Sequence, residues 1–185
     1  MNNMSRTVIT LLFLTTTVSV KAQIAAAEPE YDNTIVFVDK ANKTTSLLER
    51  QTPENKISTS ASSYILGVGK TKSIDFVKGM KSAVRITKSD TIRFVARVKD
   101  NNDNPADVIK IVRFKVNTKK DIRYVDNVSV GTLSTPQQAE VERIDFTAGK
   151  YGTQSYMITV VDLVPGEYYI TLKDAQATLQ AFDID

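Results

Sequence analysis

From Tyr151 to Leu172 the chain reads YGTQSYMITVVDLVPGEYYITL, two alternating runs on either side of Val164-Pro165-Gly166-Glu167. Pro165 presets its own φ and Gly166 supplies a permissive backbone, so the chain reverses there. Beyond the turn Tyr168, Ile170 and Leu172 point to one side, and Tyr169, Thr171 and Lys173 to the other, because side chains in a strand repeat every two residues. This unit of strand, corner and strand sets the period against which the rest of the chain is read. The spacing from Leu163 through Pro165 to Tyr169 also matches a tyrosine corner, in which the hydroxyl bonds back to nearby backbone.

The same period recurs along the chain. Thr34–Val38 is a continuous apolar run with β-branched residues, a buried strand. Thr44–Gln51 reads as a further strand, and residues 52–63, rich in Ser and Thr, as a loop. From Tyr64 onward short strands are expected at Tyr64–Val68, Ser73–Val77, Ala83–Thr87, Thr91–Lys99, Val108–Val116, Arg123–Val130, Val141–Phe146, Ser155–Val161, Glu167–Lys173 and Thr178–Phe182. Turn-prone residues separate them, and Gln137–Glu142 is the best candidate for a short helical turn. Many short strands with frequent turns predict an all-β fold, a single-domain immunoglobulin-like or related Greek-key β-sandwich. Its expected core includes Ile35, Phe37, Phe94, Val98, Val112, Phe114, Ile158, Val160, Tyr168, Ile170 and Leu172.

Residues 1–22 read as a signal peptide rather than as fold. Arg6 gives a positive start, Thr7–Val20 an apolar run, and Val20-Lys21-Ala22 a small-residue cleavage site before Gln23. The apolar run falls short of the roughly 20 residues needed to span a bilayer, and no later stretch approaches that. No cysteine follows it, which argues against a lipoprotein. The expectation is export to the periplasm, cell surface or medium, with residues 23–33 a flexible lead-in and residues 34–185 the sandwich domain. Removing residues 1–22 takes Arg6 and Lys21 and no acid, which leaves 22 cations against 21 acids, a charge of +1. That balance does not suggest a nucleic-acid binder.

The chain has neither Cys nor His. Disulfide staples, Ser-His-Asp and Cys-His catalysis and histidine-based zinc sites are thereby excluded. Gly67-Val68-Gly69-Lys70-Thr71 resembles the end of a phosphate-binding loop, but Tyr64 stands where its first glycine belongs. The loop 100–107, DNNDNPAD, offers Asp100, Asn102, Asp103 and Asp107 as weak calcium ligands; Pro105 replaces the glycine and Ile111 the bidentate glutamate of an EF-hand. Paired acids such as Glu140, Glu142 and Asp145 leave open a carboxylate-based glycan hydrolase. Asp90-Thr91-Ile92 matches a short bacterial O-glycosylation triplet, though Thr91 opening a strand is the preferred reading.

Charge is unevenly spread. Residues 70–123 carry fifteen Lys and Arg against six acids, and residues 124–185 three against nine. Opposed halves that face each other across one sandwich account for this most simply. The sharper reading pairs Lys99 with Asp107 in a hairpin, so that Arg93, Arg97, Lys99, Arg113 and Lys115 share one basic face suited to an anionic partner.

Five phrases together carry a resemblance: SLLERQ at 46–51, VKGMKSAVRI at 77–86, KYGTQSYMIT at 150–159, DLVPGEYYITL at 162–172 and the terminal AFDID. The chain resembles a group of small exported bacterial β-sandwich proteins of unknown function, with a PGEY-type penultimate strand and a Phe-x-x-Asp ending. Phe182 and Asp185 match that ending, with Asp183 where the group often has glycine. The resemblance implies fold and export and transfers no catalytic residue. The expectation is a non-catalytic, cofactor-free binding or interaction module, its partner an anionic glycan or another cell-envelope protein. A structural subunit that donates residues 23–33 as a strand is the remaining alternative.

Overall fold

Strands from distant parts of the chain lie side by side in three antiparallel sheets. The computed structural model describes residues 28–41, 43–59, 70–131, 137–138, 141–175 and 177–185. The front sheet contains β1 (Thr34–Asp39), β2 (Thr44–Leu47), β7 (Thr91–Arg97), β12 (Thr147–Tyr151) and β13 (Ser155–Val161), in the order β12-β13-β7-β1-β2. The middle sheet holds β3 (Glu49–Gln51), β8 (Ile109–Arg113), β14 (Gly166–Leu172) and β15 (Leu179–Ile184), in the order β3-β15-β14-β8. The short β6 (Arg85–Ile86) runs parallel to β15. The back sheet is built from β4 (Glu54–Thr59), β5 (Lys70–Lys78), β10 (Ile122–Gly131) and β11 (Gln137–Gln138), with β9 (Lys115–Asn117) also on β10.

Front and middle sheets enclose the main core. Ile35, Phe94, Ala96, Tyr156, Ile158 and Val160 come from the front, and Ile109, Ile111, Tyr168, Ile170, Leu172 and Phe182 from the middle. Burying each large side chain stabilises by about 1.5–3 kcal/mol before entropy is counted. The Tyr168 and Phe182 rings stack with centroids 5.5 Å apart, and Phe94 leans on Phe182 at 5.0 Å. The opposite face of the middle sheet meets the back sheet through Val112, Leu179 and Ala181, with Phe114 nearby, against Val77 and Val125. The expected β-sandwich is therefore present, with a third sheet packed on its outside. All six residues of β15 are buried, since both faces of that strand are covered.

Several expectations change. Residues 54–59, expected as loop, form β4; the polar sequence ENKIST hides a strand whose side chains from Glu54 to Ser58 are exposed. The helical turn expected at 137–142 is replaced by β11 where described, and a single turn of helix, α1 (Pro105–Val108), forms instead, capped by Asn104. Val141–Phe146 makes one bridge, Arg143 to Val112, rather than a strand. The expected strand Tyr64–Val68 lies outside the described residues, as do the signal segment 1–22 and residues 23–27.

Residues 28–33 are anchored, contrary to the expected flexible lead-in. The Glu28 carboxylate accepts from the Thr153 and Gln154 amides at 2.9 and 3.2 Å. Gly152, at φ +57°, leaves the space; a Cβ there would lie 2.1 Å from Glu28 Oε1. Segment 28–33 is thus committed to its own chain, which argues against its donation to a neighbour.

The tyrosine corner is real but belongs to the adjacent residue. Tyr168 Oη donates to the Val164 carbonyl at 2.7 Å. Tyr169 instead points at the back sheet, its ring 4.6 Å from that of Phe114. Tyr168→Phe should cost about 1 kcal/mol, the net worth of one buried hydrogen bond, whereas Tyr169→Phe should change little. Urea denaturation of the two variants checks the assignment.

Candidate functional site

The five basic residues expected on one face are distributed over three sheets. β7 pairs with β1 and β13, not with β8. The reason is the tip at 100–107: Asp100 closes a turn on the Asn102 amide, α1 follows, and the chain crosses the main core into the middle sheet. Arg93 stays half-buried on the front sheet, opposite Thr159. Arg97 is spent on Asp32, the Pro29 carbonyl and Gln154 at 3.1, 3.0 and 2.6 Å. Lys99 is exposed just beyond β7. Arg113 contacts Glu142 and the Pro165 carbonyl and lies 5.7 Å over the Tyr168 ring. Lys115 reaches the back sheet and pairs with Asp126 at 2.6 Å.

Nor does the acidic tip gather a cation cage. Asn102 accepts from Lys150, Asp103 pairs with Lys173, and no three His, Cys, Asp or Glu groups converge among the described residues. Of the acids named for glycoside chemistry, Glu142 is paired with Arg113, Asp145 is exposed, and Glu140 lies outside the described residues.

The strongest polar constellation is one the sequence reading did not single out. Arg123 on β10 is fully buried between the middle and back sheets. Its Nη1 donates to Glu49 Oε2 and Glu167 Oε2 at 3.2 and 3.3 Å, and its Nη2 to Glu49 Oε1 at 3.3 Å. Nε reaches the Gly79 carbonyl at 3.1 Å and Nη2 the Lys78 carbonyl at 3.5 Å. All five N–H donors thus have acceptors, and the guanidinium sits 5.6 Å over the Phe114 ring. Ser82 completes the group, donating its amide to Glu167 at 2.9 Å and its hydroxyl to Glu49 at 2.5 Å. The signal was present in sequence: Arg123 stands at the same parity as Val125, a charge on an inward face.

The two carboxylates that share Arg123 respond oppositely. Burial alone would raise Glu49, but hydrogen bonds from Arg123, Ser82 and Gln51 outweigh it and hold its carboxyl below the ordinary range. Glu167 is pushed above that range by burial, reinforced by the charge of Asp183, its cross-strand partner. Asp183 is itself raised by burial and by Asp185 nearby, while Arg85 holds Asp185 down by hydrogen bonding to it.

Two recesses among the described residues are small. One of about 160 Å³ opens between the middle and back sheets beside Tyr169, Phe114, Val141 and Leu179. Burial, with the negative charge of Asp75, pushes the Tyr169 hydroxyl up to about 12. Another, about 220 Å³, lies by Asp107, Lys110 and Lys173.

Fold and site together define an all-β sandwich tied to an added sheet through a buried arginine–glutamate cluster. No protein-family model matches the chain, and no curated protein matches it significantly.

Arg123→Leu should cost about 3–5 kcal/mol in urea denaturation, because the buried Glu167 and half-buried Glu49 carboxylates lose their counter-charge. For Glu167 the folded pKa lies above the unfolded one. Its contribution is therefore fully present below the unfolded value and is lost as pH rises through the folded one. Glu167→Gln should accordingly flatten the fall in stability as pH rises above the ordinary carboxylate range, measured as the difference from wild type across a pH series.

Proposed function

We propose that the chain is an exported, non-catalytic binding module of the periplasm or cell surface whose partner is an anionic glycan. The carrying observation is where the perturbed acids are. Raised carboxylates in a cleft are the usual mark of an acid–base site, but Glu167 is bonded to Arg123 and Asp183 lies beside Arg85 at 3.4 Å, both between strands. The described recesses also fall below the roughly 300–1,000 Å³ typical of small-molecule sites. An extended surface partner suits such a molecule better than an enclosed substrate. Export rests on the reading of residues 1–22 and on the resemblance to exported sandwich proteins.

The mature protein should be retained on heparin or polyuronate beads at low salt and released as salt rises, since contacts between exposed charges are screened within about 10 Å at 0.1 M. It should liberate no reducing ends from the same polymers. Absence of retention at low salt, or release of reducing ends, would overturn the reading.

A further inference from the structure

We infer that the outward face of the back sheet is the surface that takes the anionic glycan; this rests on the binding reading above. Register and ion pairs fix which side chains share that face. Tyr124 stands opposite Phe76, Phe76 opposite Glu54, and Lys115 opposite Tyr124. Lys78 bridges diagonally to Glu54 at 3.2 Å and Lys115 to Asp126 at 2.6 Å, as partners on one face must. The alternate residues Val77, Arg123 and Val125 point inward to the middle sheet. Asn55 bonds to Asp75 and Ser73 on that same inner parity.

The outward face therefore presents one row, Glu54, Phe76, Tyr124 and Lys115, across four strands and about 14 Å at the usual strand spacing. Beside it runs a second row, Lys56, Ile74 and Asp126. Phe76, Ile74 and Tyr124 are half-buried and belong to none of the apolar clusters of the described residues. Lys56 and Lys72 are exposed diagonal neighbours with no acidic partner among the described residues. Two adjacent cations that no acid among the described residues pairs, beside two ring surfaces, fit a chain that carries spaced anions and apolar sugar faces.

The composition of the face selects a glycan over a nucleic acid. Glu54 and Asp126 lie among the lysines, and a phosphate backbone with one charge about every 1.7 Å of duplex would meet both. An acidic polysaccharide has sparser charge, and its hydroxyls donate to such carboxylates. Lys78 and Lys115, already paired with these acids, hold them in place along the row.

The test compares wild type, the double variant Lys56→Glu/Lys72→Glu, Phe76→Leu and Arg93→Glu on heparin and polyuronate beads, with single-stranded DNA as a competitor. Both lysines are exposed, so thermal unfolding should confirm an intact fold in the double variant. The double variant should bind at least about tenfold more weakly at low salt, with a shallower salt dependence. Phe76→Leu should weaken binding without changing that salt dependence, and Arg93→Glu should behave as wild type. Wild-type retention that survives the double substitution overturns this face while the binding reading stands. Loss of wild-type retention on every anionic glycan overturns both. DNA that displaces the protein at equal charge concentration more effectively than polysaccharide overturns the choice of glycan.

Discussion

Arg123 is the interaction on which the three-layer arrangement depends. A guanidinium with no exposure has given up its hydration, a cost of several kcal/mol that only close, multiple and well-aimed acceptors offset. Those acceptors come from β3, β14 and the turn after β5, so the cost is offset only when the middle and back sheets are in one relative position. An apolar contact such as Val112 with Val77 tolerates sliding; a five-donor fork does not. The cluster therefore acts on specificity of packing more than on total stability. The positive φ of Gly79 turns the chain after β5 at the point where its carbonyl meets Arg123.

The same requirement explains the acids. Glu167 and Asp183 lie directly opposite each other on β14 and β15 because both strands send that parity toward Arg123 and Arg85. Their raised values follow from burial between sheets, with the charge of Asp183 acting on Glu167 and that of Asp185 on Asp183. Glu49, which has Arg123, Ser82, Ala83 and Gln51 as donors, settles the other way. One guanidinium cannot satisfy two carboxylates equally, and the hydrogen-bond count decides which stays comfortably ionised.

Legibility in the sequence followed the strength of alternation. Tyr168, Ile170 and Leu172 announced their shared face, and Phe94, Val98, Ile158 and Val160 theirs, so the main core was readable. Ile109 and Ile111, in the main core, alternate with Val112 and Phe114, which face the back sheet. A strand covered on both faces has no parity to read. The polar β4 was invisible for the converse reason: it is an edge strand whose side chains from Glu54 to Ser58 are exposed, so nothing forces apolar residues into it. The hairpin from Thr91 failed on its connection. Eight residues that bond among themselves and nucleate α1 carry the chain across a core rather than back along the same sheet.

That misplacement moved the basic surface but not the argument for one. Four cations of residues 70–123 join the acidic C-terminal third: Arg85 to Asp183 and Asp185, Arg113 to Glu142, Lys115 to Asp126, Arg123 to Glu167. Of the three arginines among them, whose planar forks suit bidentate pairing, Arg123 is buried, Arg113 half-buried and Arg85 exposed. Exposed lysines occur on several elements, Lys72 of the back sheet among them. The fold thus divides the segregated charge between cations paired with the acidic C-terminal third and exposed lysines, of which Lys72 stands on the outward face of the back sheet.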